Sequence, residues 1–147
     1  MALTDRIKED LKASMKAGEK TRTSVLRMLT AALKNERIQL KKDLGDEDVI
    51  TVVGREMKKR REAALMFSKS GADDRAEAEE AEAAALAGYM PEPVGEAELE
   101  AAIDEVIASS GATTKKDMGR VMGPVMAKFK GRVDGGVVQK KVLGKLG

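Results

Sequence analysis

Hydrophobic positions along the chain recur at helical spacing almost from end to end. Leu3, Ile7, Leu11 and Met15 return every four residues and predict a first helix, with Thr4 as its N-cap and Gly18 as its C-cap. A second helix is expected from about Lys20 to Lys41. Leu26, Leu29, Leu33 and Leu40 face one way, Val25, Ala32 and Ile38 widen the stripe, and Arg22, Arg27, Lys34 and Arg37 lie among them. Leu44-Gly45-Asp46 breaks the pattern. Asp46 reads as the N-cap of a third helix, with Glu47 and Asp48 at its positive end. That helix carries Val49, Val52, Val53, Met57, Ala64 and Phe67. Its cations Lys58, Lys59, Arg60 and Arg61 cannot share one face at about 100° per residue. Some must turn to the flank or pair with acids such as Glu56 and Glu62.

A turn at Ser70-Gly71-Ala72-Asp73 leads to a fourth helix, from about Asp74 to Ala87. It is rich in Ala and Glu and keeps a narrow apolar edge at Ala76, Ala83, Leu86 and Ala87. Then Pro91 and Pro93 bar helix continuation within Gly88–Gly95. Tyr89, the single tyrosine, is expected to pack at this junction and bond through its hydroxyl. Gly95 caps a fifth helix with Leu99, Ile103, Val106 and Ile107, and Ser109-Ser110-Gly111 ends it. Thr114 and Asp117 have capping-box spacing for a sixth helix, which Pro124 should kink or divide at Gly123. Asp134 caps a seventh, with Val137, Val138, Val142 and Leu146 inward and Lys140, Lys141 and Lys145 outward. No segment reads as a strand. The expectation is an all-α protein: a four-helix unit over residues 1–90, a linker at 91–95, and a three-helix unit over 96–147.

Composition narrows the chemistry. Two Phe, one Tyr and no Trp leave few β-favouring aromatics and little surface for stacking bases. The absence of Cys and His removes thiolate and histidine catalysis and the common zinc sites. No apolar run approaches the ~20 residues of a membrane span, and MALTDRIKED has no signal-peptide core, so a cytoplasmic location is expected.

Charge is small in total, +2, but uneven. Residues 1–72 carry a net +6, residues 73–105 a net −11, and residues 111–147 a net +7. The run Lys116–Gly136 combines an apolar stripe (Met118, Val121, Met122, Val125, Met126, Phe129) with flanking cations and the glycines 119, 123 and 131. Such a stripe is ordinarily core. Its basic exterior also suits an anionic partner, RNA first. The candidate contact residues are Lys115, Lys116, Arg120, Gly123, Lys128, Lys130, Gly131, Arg132, Lys140 and Lys141, with Gly119 and the pair Gly135-Gly136 letting main-chain N–H groups approach phosphate. No catalytic residue, metal ligand or cofactor site is assigned.

The stretches TSVLRMLTAALKNERI, EMKKRREAALMFSKSG, YMPEPVGEAELEAAIDEVI and KDMGRVMGPVMAKFKGRVDGGVVQKKV occur in an order that resembles the GatB/YqeY family in its stand-alone YqeY-like form. The last stretch also resembles the tail of the B subunit of the tRNA-dependent amidotransferase. The tail pattern falls here on Gly123, Val125, Met126, Gly131, Arg132, Val133 and Asp134, with Val133 and Gly136 departing mildly from it. The resemblance implies an all-helical fold, a domain that helps hold tRNA, and an association with glutamine-dependent carbon–nitrogen ligases. The catalytic cradle and amidase subunit of that enzyme have no counterpart in this chain. No GxxxxGK[ST] phosphate loop is present, and Ser109-Ser110-Gly111 is too little for an amidase signature.

Three functions remain in competition. One is a module for tRNA or another structured RNA, without catalysis of its own. A second is a protein-binding adaptor tied to an aminoacyl-tRNA or amidotransferase component, using the acidic segment and the Met stripe. The third is an acid-catalysed or metal-dependent enzyme using clustered acids such as Asp46, Glu47 and Asp48, residues that a helix start explains better. None of the three calls for a membrane.

Overall fold

The computed structural model describes residues 1–147 and is all-helical. Its helices are α1 (Leu3–Ala17), α2 (Lys20–Leu40), α3 (Asp46–Lys69), α4 (Asp73–Ala87), α5 (Glu96–Ser110), α6 (Met118–Lys128) and α7 (Gly135–Lys145), with a 3-10 turn at Lys115–Asp117. The chain divides into two compact units, Met1–Met90 and Pro91–Gly147. Each has its own hydrophobic core.

In unit 1, α1 and α2 form a hairpin. Gly18 takes a left-handed conformation at φ 70°, so Gly18 and Glu19 return their N–H groups to Met15 and Ser14. The hairpin is tied by Thr23 donating to the buried Ser14 hydroxyl at 2.9 Å. Spacing by four overshoots a helical turn by about 40° each time. By the third step Met15 has rotated out and is 50% exposed, and Ser14 takes the inward place. Ile38, twelve residues beyond Leu26, has likewise turned away and is 63% exposed, while Leu40 ends its helix exposed. Val25, Leu26, Leu29 and Leu33 carry the α2 contribution to the core, joined by Val49, Val52, Val53 and Met57 of α3 and Leu86 of α4. On α4, Ala87 is exposed and the partly buried Ala85 packs against this core in its place.

Two caps differ from the sequence reading. Thr4 lies inside α1, whose N-cap is Ala2 without a side-chain bond. The free Leu3 N–H is met instead by the Asp46 carboxylate at 3.0 Å. Gly45 is the N-cap of α3, and its N–H donates to Asp48, the third helical residue. Of the four-cation run, Lys59 pairs with Glu56 at 3.5 Å. Arg60 turns inward, 7% exposed, and its Nη1 reaches Glu82 at 3.1 Å and Glu79 at 3.9 Å on α4.

Tyr89 closes unit 1. It is buried, its hydroxyl donates to the Asp10 carboxylate at 2.6 Å, and the Arg6 guanidinium lies 5.0 Å from its ring centroid. Burial, then the bond to Asp10, pushes its pKa up to about 12. Tyr89→Phe should cost about 1.5 kcal/mol, the low end for a bond to a charged acceptor, because partly exposed Asp10 can recruit water. A raised pKa means the folded protein holds this proton more tightly than the unfolded chain. Wild type should therefore lose stability as pH rises from 10 to 12, and Tyr89→Phe should lack that component. Denaturant titrations at pH 7, 10 and 11 measure both effects.

Candidate nucleic-acid interface

Unit 2 packs α5, α6 and α7 around Leu99, Ile103, Val121, Val125, Phe129, Val138 and Val142. Phe129 is its largest fully buried side chain. Gly111 ends α5 at φ 70°. Thr114 and Asp117 form the expected capping box, although it caps the 3-10 turn that feeds α6. The Asp117 carboxylate accepts from the Thr113 and Thr114 N–H groups, and these bonds hold its pKa below the usual carboxylate range. Asp134 caps α7, taking the Gly136 N–H at 2.7 Å. Val137 is 49% exposed rather than inward.

Pro124 does not divide α6, which runs unbroken from Met118 to Lys128. Part of the clash a proline makes with the preceding residue is with its Cβ, and that residue is Gly123, which has none. The carbonyl four residues back, deprived of its donor, belongs to exposed Arg120, where water can serve it. A Cβ on Gly119 or Gly123 would meet nothing within 4 Å. These glycines are not needed for close packing within the unit. Gly131 is different: its φ of 77° makes the turn after α6.

The candidate cations fall into two groups. Lys115 and Lys116 on the 3-10 turn, Lys128 and Lys130 around the end of α6, and Lys140 on α7 are exposed and form no ion pair. Lys128 lies 5.5 Å from the Phe129 ring centroid. The others are engaged. Arg120 bonds Asp117 at 3.0 Å. Lys141 reaches Glu96 at 2.9 Å and Glu100 at 3.3 Å on α5, which raises its pKa and lowers that of Glu96. Lys145 reaches Asp104 at 2.9 Å. Arg132 donates from Nε to the Glu92 carbonyl, and its own carbonyl accepts from Val94, so it fastens residues 92–94 to the α6–α7 turn. Gly136 is also occupied, since Asp134 already holds its N–H.

A family model described as Yqey-like protein matches residues 4–146. The chain belongs to the YqeY-like family. It is also 32% identical over 143 residues to the protein named "Altered inheritance of mitochondria protein 41, mitochondrial" from Pyrenophora tritici-repentis (strain Pt-1C-BFP), a match covering 93% of this chain and 77% of that relative. Membership extends across both units, so the N-terminal helices belong to the family as much as the tail does. No helix is long and apolar enough to cross a membrane. The name of the relative places that protein in mitochondria, which leaves the cytoplasmic expectation for this chain without support.

Proposed function

We propose that this protein binds structured RNA, tRNA foremost, through phosphate contacts from unit 2, and performs no catalysis of its own. The observation that carries the reading is the separation of the cations. Lys115, Lys116, Lys128, Lys130 and Lys140 are left without acidic partners, whereas Arg120, Lys141 and Lys145 are neutralised by acids and Arg132 is held by a backbone carbonyl. Unpaired exposed lysines stabilise the fold little, but each can displace a counterion from a phosphate. With Phe129 buried and Tyr89 in the other unit, stacking has little to offer, so recognition follows shape and phosphate. The link with tRNA-dependent amidation rests on the tail-like sequence. It makes the partner an aminoacyl-tRNA or an amidotransferase component rather than giving this chain the amidation step.

Lys115→Gln, Lys116→Gln and Lys130→Gln together should weaken tRNA binding and reduce the slope of log K against log salt by about 2, at roughly 0.7–0.9 per lost contact. Arg132 is left intact because it holds residues 92–94. The melting temperature should not move, since none of the three lysines is paired. A salt titration of tRNA affinity for both proteins is the measurement. Unchanged affinity and slope would remove these lysines from the interface. A wild-type protein that ignores tRNA would favour the adaptor.

A further inference from the structure

The outer face of α2 carries a line of charge that the unit 2 reading does not use. Lys20, Arg27, Lys34 and Lys41 stand seven residues apart. Seven residues are almost two turns, so Lys20, Arg27 and Lys34 lie nearly in line, each about 10.5 Å beyond the last, and Lys41 follows as the C-cap of the helix. All four are exposed, and the line faces away from Leu26, Leu29 and Leu33, which are buried. None forms an ion pair, whereas their neighbours do: Arg22 with Asp10 and Glu19, Arg37 with Asp43. The single acid of α2, Glu36, is occupied by Arg55 at 2.9 Å. Small exposed residues, Ser24 and Ala31, separate the first three cations and do not screen them. An open groove of about 510 Å³ adjoins Lys20 and Arg27, and another of about 550 Å³ adjoins Lys34 and Lys41.

We propose that this α2 line is a second docking surface, for the phosphate backbone of a structured RNA. It rests on the RNA reading for its ligand class, but on different residues in a different unit. A row of like charges without acids burdens the fold slightly and buries nothing, so a regularly spaced anionic polymer is what it complements. A lipid surface fits less well. Most of the apolar side of α2 is consumed by the core, and the exposed Met15, Met28, Ile38 and Leu40 are scattered among charges rather than forming the broad apolar face that interfacial helices bury. The face bears no aromatic residue, so base stacking is not part of the contact.

The test is carried out on the full chain, comparing wild type, a Lys20→Gln/Arg27→Gln/Lys34→Gln variant and the unit 2 triple variant above. Lys41 is spared because its φ of 54° makes substitution there ambiguous. Unfractionated tRNA is the probe, titrated by fluorescence anisotropy across salt concentrations, with circular dichroism and melting as folding controls. The α2 variant should keep its helicity and melting temperature, lose affinity several-fold, and show a salt slope smaller by about 2. If it binds like wild type while the unit 2 variant weakens, the α2 surface is refuted and the unit 2 reading stands. If only the α2 variant weakens, the reverse holds. Wild type that fails to bind tRNA overturns both, as does wild type that prefers polyglutamate or anionic vesicles over tRNA at equal charge.

Discussion

Phe129→Ala should unfold unit 2 at 25 °C while leaving unit 1 intact. Phe129 is 1% exposed and touches a core built from only three helices. Removing a buried phenyl ring costs about 3–5 kcal/mol through lost burial and the cavity left behind. A unit of under about 70 residues rarely has more than 3–5 kcal/mol in total. The cost therefore matches the whole stability of the unit. Amide exchange should show α5, α6 and α7 unprotected and α1 to α4 as protected as before. The helical signal should fall by the share of those three helices, and the RNA binding proposed for unit 2 should be lost with them. Phe129→Leu, which keeps most of the volume, should retain protection. Collapse of α1 to α4 in Phe129→Ala would show that the two cores do not stand independently.

Arg60→Met should be the most damaging single change in unit 1 that leaves the apolar core untouched. Its guanidinium sits between α3 and α4, and Nη2 lies 3.5 Å from the Met28 sulfur of α2. Nε, buried, has no partner. The arrangement is therefore imperfect already, and its value is in neutralising Glu79 and Glu82. Without the cation those carboxylates face each other across one turn of α4. The expected loss is about 3 kcal/mol, the low end for breaking a buried pair, because both acids remain a quarter exposed. Burial first, and the Glu82 charge second, already raise the Glu79 pKa, while Arg60 pulls it down. Removing Arg60 raises it further. A carboxyl whose folded pKa is raised binds its proton more tightly when folded, so its burden is full above that pKa and fades as pH falls through it. The stability deficit of Arg60→Met should thus be largest at neutral pH and shrink toward pH 4–5. Adding Glu79→Gln and Glu82→Gln should restore most of it. Urea denaturation of the variants at pH 7 and pH 5 decides; wild-type stability for Arg60→Met at pH 7 would sink the assignment.

Much of the architecture was legible in the residues, because helices declare themselves over a few positions. The stripes of α2, α3, α5 and α6 were read correctly where the apolar residues keep a true 3.6-residue period. Turn and cap signals such as Gly18, Gly111 and Asp134 depend on bonds within five residues, and they stand where expected. Met15 failed because spacing by four drifts around the helix, Ile38 because twelve residues carry it about 120° round from Leu26, and Thr4 because the helix starts before it and the free Leu3 N–H is met by a carboxylate 43 positions away.

The charges were the least legible part. Counted along the chain, residues 111–147 are strongly basic and residues 73–105 strongly acidic. Folding distributes that acidic segment between the units: Glu79 and Glu82 of α4 receive Arg60, and Glu96, Glu100 and Asp104 of α5 receive Lys141 and Lys145. The seven-residue recurrence of Lys20, Arg27, Lys34 and Lys41 was present in the sequence, yet only the fold shows that each lacks an acid. The sequence by itself determined helix identity, turn positions and the absence of cysteine and histidine chemistry, since these depend on neighbours or on composition. Only the tertiary structure decided which cations are neutralised and which remain free, because an ion pair requires two side chains within about 4 Å, and chain folding sets that distance independently of their separation in sequence.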